Sequence, residues 1–86
     1  MFYVYLIKSK KYGTLYTGCT SNLVKRIEKH NKNMIYSTKN KGPFEIVYYE
    51  AYKSKNDAFQ REHNLKLRAN ALNGLKRRIK RSLEDL

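Results

Sequence analysis

The chain has 86 residues, enough for one small domain with a thin core. Lys and Arg number 19 against 7 Asp and Glu, a net charge of +12, and 41% of the residues are hydrophobic. No run approaches the roughly 20 apolar residues that a membrane span requires, and the lone Cys19 excludes an intrachain disulfide.

Met1 to Ile7 lacks a basic leader and is too short for the apolar segment of a secretion signal. With the single thiol, this leads to the expectation of a cytoplasmic protein. The charge favours a polyanionic partner, through phosphate contacts and counterion release. Residues 1–43 carry nine Lys and Arg but one acid, Glu28. A solubilising surface, or association with a ribosome or a membrane surface, is the duller reading of the same charge.

The first predicted strand, Phe2 to Lys8, is apolar or aromatic on both faces, as expected of a strand covered on both sides. A turn around Lys10-Lys11-Tyr12-Gly13 leads into a second strand, Thr14 to Cys19. Gly18 ends it where a side chain would crowd a helix or a ligand. The run Thr20-Ser21-Asn22 offers helix caps, and Leu23 and Ile27 give the helix from Ser21 to Asn31 its apolar spacing. Asn31 to Gly42 reads as a polar surface loop in which Ser37, Thr38, Lys39 and Lys41 suit phosphate contacts.

Pro43 precedes a third strand, Phe44 to Tyr52. Ser54-Lys55-Asn56-Asp57 resembles a capping box opening a helix from about Asn56 to Leu67, with Ala58, Phe59, Glu62, Leu65 and Lys66 at helical spacing. A break at Asn70 to Asn73 then separates a last helix, its buried stripe Leu72, Leu75, Ile79 and Leu83. The predicted order β-β-α-β-α-α describes an α+β domain with a small, mainly antiparallel three-stranded sheet flanked by helices. The basic run Lys76-Arg77-Arg78 reads as a solvated face that doubles as a nucleic-acid contact, as do Lys25 and Lys29 on the first helix.

The hairpin brings Tyr5 and Tyr16 to one sheet face, and the following helix carries Arg26 and His30 one turn apart over the same place. Two phenols, a guanidinium and an imidazole then converge on a short piece of backbone. In-line attack on a phosphodiester needs an activated nucleophile and cationic stabilisation of the pentavalent phosphate. Arginine offers the planar double donor that a phosphate accepts best.

The triplets Tyr3-Val4-Tyr5 and Tyr16-Thr17-Gly18 resemble the two signatures of the GIY-YIG nuclease superfamily, with Tyr3 in place of the first glycine and Thr17 in place of the second isoleucine. The stretches Lys25-Arg26-Ile27-Glu28-Lys29-His30, Ser37-Thr38-Lys39 ahead of Pro43-Phe44, Val47-Tyr48-Tyr49-Glu50 and Arg61-Glu62-His63-Asn64-Leu65-Lys66 follow in the order of its small bacterial UvrC-like branch. The resemblance implies a metal-dependent DNA endonuclease of repair or recombination. It assigns Tyr5 as general base, Tyr16 as its hydrogen-bonding support, Arg26 as phosphate holder and His30 as proton acceptor or relay. Glu62 becomes the one ligand of a single Mg²⁺ or Mn²⁺. DNA, branched or with single-stranded parts, is the implied partner, with RNA left open and no membrane. The alternative is a binding module that keeps the fold and cuts little.

One difficulty is chemical. A tyrosine of pKa about 10 is ionised roughly one part in a thousand at pH 7, so a tyrosine base needs about 4 kcal/mol of help or a concerted relay.

Overall fold

A computed structural model describes residues 1–84 and places three strands in one antiparallel sheet of order β2-β1-β3. β1 is Phe2–Ser9, β2 Leu15–Thr20 and β3 Phe44–Tyr52. The helices are α1 (Leu23–Asn31), α2 (Lys55–Leu67), α3 (Ala69–Arg78) and the short α4 (Lys80–Leu83), with a 3-10 turn at Tyr36–Thr38. The order is the expected one with a further break near the end. No helix among the described residues is long and apolar enough to cross a membrane.

β1 is central because it is apolar on both faces, and its two side-chain sets enter two different cores. Val4 packs with Ala58, Leu65 and Leu75 under α2 and α3. Tyr5 and Ile7 pack with Phe44 and the α1 residues Leu23 and Ile27. The β1–β2 hairpin closes through Gly13, whose φ of +75° an L side chain would strain to adopt. Buried Ser9 ties this turn to the later loop by donating to the Lys41 carbonyl at 2.6 Å.

Asn22 caps α1, its side chain accepting from the Lys25 amide, and Ser54 caps α2 by accepting from the Asp57 amide. Asn31 at the end of α1 accepts from the Phe44 amide at 2.7 Å, which fixes the helix against the start of β3. On the α2 face, Glu50 takes hydrogen bonds from Tyr48, Tyr52 and the Arg61 guanidinium. Burial works to raise the Glu50 pKa, but these three donors hold it below the usual carboxylate value. The cluster rivets β3 to α2.

Two expectations need correction. The helix break comes at Arg68, whose extended backbone ends α2 and begins α3, so Asn70 and Asn73 lie within α3. Packing of Leu75 and Ala71 against the Val4 core outweighs the poor helix preference of asparagine. Phe59, whose helical spacing made it a core-side candidate of α2, does not join the core: it is half-exposed, with the Lys55 ammonium 5.3 Å from its ring centre. That leaves Ala58 and Leu65 as the buried positions of α2.

Candidate active site

Tyr5 and Gly18 are direct partners across the β1–β2 ladder. A side chain at Gly18 would collide with the Tyr5 ring, its Cβ coming 2.8 Å from Cε2 and closer still to Cζ and the hydroxyl. The missing side chain lets the phenol lie across β2, the edge strand, and bring its hydroxyl to the sheet border. Gly18 was expected to make room for a helix or a ligand; the room is used by a tyrosine of its own sheet.

α1 then closes on that hydroxyl. The Arg26 Nε donates to it at 3.2 Å, and it stands 2.9 Å from His30 Nε2. The other ring nitrogen of His30, Nδ1, is 2.7 Å from the Thr38 hydroxyl. His30, Tyr5 and Thr38 are all buried, and the edge of the His30 ring also packs against Phe44, 5.8 Å between centroids. With Arg26 donating, the Tyr5 proton is free to point at Nε2, and His30 Nδ1–H to point at Thr38. A directed chain Tyr5→His30→Thr38 results.

Charge tuning fits this direction. Burial raises the Tyr5 pKa above its ordinary value, and the Arg26 hydrogen bond opposes the rise without cancelling it. Burial first, and then the Arg26 charge, push the His30 pKa below 6.5. The resting site therefore holds a protonated phenol facing a neutral imidazole at pH 7.

This has a consequence for stability. In the unfolded chain His30 gains its proton near pH 6.5, whereas the folded chain resists it to lower pH. Between those values the unfolded state binds more protons, so stability is full above about pH 6.5 and falls on acidification. Thermal melts at pH 7.5 and pH 5 should show this drop, and it should shrink in His30→Gln. An equal drop in the variant would locate the effect elsewhere.

The Tyr5 hydroxyl opens into a cavity of about 340 Å³ at the β2 edge, lined also by Tyr16, Arg26, His30, Thr38 and Glu62. Glu62 comes from α2, on the other face of the sheet, and enters around the β2 border beside Leu65 and Lys66. Glu62 is also paired with Lys66 one turn on, at 3.3 Å. Tyr16 shares the Tyr5 face: its ring packs edge-on against Phe44 at 5.7 Å between centroids, and its hydroxyl is 3.5 Å from Thr14 Oγ1. The close partners of the Tyr5 hydroxyl are His30 and Arg26, and Tyr16 forms wall.

The expected phosphate contacts divide. Lys25, Lys29, Ser37, Lys39 and Lys41 are exposed; Ser37 lines the cavity, and the Lys41 ammonium lies 5.7 Å from the centre of the Tyr16 ring that forms its wall. Thr38 is a correction: it is 1% exposed and its hydroxyl is spent on His30, so it positions a catalytic candidate rather than touching substrate. Lys76 and Arg77 line a different depression with Lys80 and Asn73, and Arg78 is exposed at the end of α3. Lys66, one turn from Glu62 at the i, i+4 spacing the sequence shows, lines the cavity as well.

Comparison with known proteins gives the family. The GIY-YIG catalytic domain family matches residues 1–81. A UPF0213 protein of Clostridium perfringens is 43% identical over 67 residues, which is 77% of this chain and 71% of the relative. A UPF0213 protein of Staphylococcus haemolyticus is 44% identical over 66 residues, 74% of this chain and 78% of the relative. The solution structure of a UPF0213 protein from Bacillus halodurans superposes with a TM-score of 0.53 at 35% identity, covering 87% of this chain and 82% of that one. Two tyrosines on paired strands, an arginine and a histidine from the next helix, and a family match across nearly the whole chain lead to one conclusion: this chain belongs to the GIY-YIG family, a family of nuclease-type domains.

Proposed function

We propose that the protein is an endonuclease that hydrolyses DNA phosphodiester bonds with the help of one divalent cation. The carrying observation is the Tyr5 hydroxyl, gripped by Arg26 and His30 in the lining of a cavity that Glu62 shares. The setting that the resemblance suggests is repair or recombination, with branched DNA as the substrate.

Water attacks phosphorus in line with the leaving oxygen. Its proton passes to the Tyr5 oxygen while the Tyr5 proton passes to His30 Nε2, and the P–O bond to the leaving oxygen breaks, that oxygen taking its proton from solvent water to leave as a hydroxyl. This concerted relay removes the need for a standing phenolate, which the raised Tyr5 pKa would oppose. His30 is suited to receive because it rests neutral and Thr38 holds its ring. Arg26 uses only Nε on Tyr5, leaving its two terminal nitrogens for phosphate oxygens and developing charge.

The described residues gather no group of three His, Cys, Asp or Glu side chains, so the donor set does not suit a tightly caged metal. One carboxylate beside a phosphate site does suit a hydrated Mg²⁺ or Mn²⁺ that completes its shell with water and substrate oxygens. When bound, the cation draws charge from the phosphate as a Lewis acid. Glu62 would hold it, exchanging Lys66 for the ion.

Nicking of supercoiled plasmid, or cleavage of flap and junction DNA, is expected to require Mg²⁺ or Mn²⁺ and to fall to background in Glu62→Gln. The fold should survive, since a partly exposed i, i+4 pair contributes only a few tenths of a kcal/mol. Undiminished cutting by Glu62→Gln, or in excess chelator, would refute the metal role. Salt-sensitive binding with no cutting under any condition would leave a binding module.

A further inference from the structure

The loop that orients His30 also carries the most exposed large hydrophobic side chain among the described residues. Tyr36 is 96% exposed. Its neighbours Ile35 and Ser37 both line the Tyr5 cavity, and Thr38, two residues on, is the buried partner of His30. The ring is thus held out from the rim of the site.

Its mount is built, not slack. The 3-10 turn is closed by Thr38 N to Ile35 O and Lys39 N to Tyr36 O, and Lys41 N returns to Thr38 O. Asn33 braces the loop by accepting from the Asn40 amide at 2.9 Å. A lone exposed apolar side chain is ordinary and needs no explanation. Here the exposed group is an aromatic on braced backbone, between two residues that line the Tyr5 cavity, with the exposed cations Lys39 and Lys41 following it.

We infer that Tyr36 is a stacking platform for an unpaired base next to the phosphate that enters the cavity. The preferred substrate is then DNA with a single-stranded nucleotide beside the cut bond, such as a flap or overhang junction, rather than continuous duplex. A base in a duplex has both faces occupied by its neighbours and offers none to the ring, whereas an unpaired base presents a free face of any sequence. Arg26 and Lys41 neutralise the backbone while Tyr36 reads only whether the base is free. The inference rests on the nuclease reading for what lies in the cavity.

Binding measured without metal keeps it separate from cleavage. Fluorescence anisotropy would compare an overhang duplex, a blunt duplex and the overhang with an abasic nucleotide at the junction. Tyr36→Ala should weaken overhang binding about five- to a hundred-fold and leave the blunt duplex within about two-fold. The abasic substitution should weaken the wild type similarly and leave Tyr36→Ala almost unaffected. Tyr36→Phe should bind normally, and so should Tyr12→Ala, which removes another exposed tyrosine, in the hairpin turn. The chain has no tryptophan, so Tyr36→Trp introduces a single indole whose emission should be quenched by the overhang and not by the blunt duplex.

Equal affinity of Tyr36→Ala and wild type for the overhang, an equal loss on both substrates, or an unquenched indole would overturn the inference. If the wild type still cuts plasmid with Mg²⁺ in those cases, the nuclease reading stands and only the platform falls. A wild type that neither binds nor cuts removes both.

Discussion

Tyr5→Phe should cut DNA about a hundred- to ten-thousand-fold more slowly than the wild type while remaining folded, the range expected for losing a positioned general base. The substitution removes one oxygen and keeps the ring that fills the space above Gly18. It also leaves Arg26 Nε and His30 Nε2 without their shared partner in a buried place. That costs about 1–3 kcal/mol, or a fall in Tm of several degrees for a domain of this size. Rates should therefore be compared well below the melting transition of the variant. A pH profile separates chemistry from support: the wild-type rate should rise with pH as His30 loses its proton below 6.5, and the residual rate of Tyr5→Phe should lose that limb. A folded phenylalanine variant cutting at the wild-type rate would remove Tyr5 from the reaction.

What the sequence made legible was what is local. Tyr5, Arg26 and His30 lie within one hairpin and the helix after it, and the four-residue step from Arg26 to His30 sets both on one helix face whatever the rest of the chain does. β1 declared its central position by being apolar at every inner residue on both faces. Contacts that close over long separations left weaker traces. The Glu50–Arg61 rivet joins β3 to α2, and nothing in the local pattern of either segment marks it. Thr38 sat among hydroxyls and lysines that read as phosphate contacts, because a polar loop does not announce which hydroxyl turns inward. Glu62 was expected in the groove, and the cavity does include it; its approach from the opposite face, around an edge strand, depends on how α2 packs on Val4 and Cys19. The misplaced break at Asn70 to Asn73 has the same origin, since tertiary packing of Leu75 overrode a local preference.

Gly18→Ala is expected to be the most damaging single-methyl change in the chain, and for a reason of space. Gly13 requires glycine for its positive φ; Gly18 sits in an ordinary strand and needs only the absence of a Cβ. The β1 backbone has no room to retreat, because it is hydrogen-bonded to β2 on one side and to β3 on the other, and β2, the edge strand, could retreat only by giving up its ladder with β1. The ring must leave, taking the hydroxyl out of the grip of Arg26 and His30. Overpacking of about 1–3 kcal/mol then adds to the cost of buried groups left unpartnered, again about 1–3 kcal/mol. Against a total stability of roughly 5–15 kcal/mol, this should lower Tm by ten degrees or more and abolish cutting together. A second substitution distinguishes this from general fragility of the sheet. Tyr5→Phe should not rescue Gly18→Ala, since Cε2 and Cζ still overlap the new methyl. Tyr5→Ala should do so in part, making the double variant more stable than the sum of the two single losses by about 1 kcal/mol or more. Strict additivity, or an alanine variant that melts and cuts like the wild type, would show that the ring does not cross β2 at Gly18 and that the hydroxyl reaches the cavity by another route.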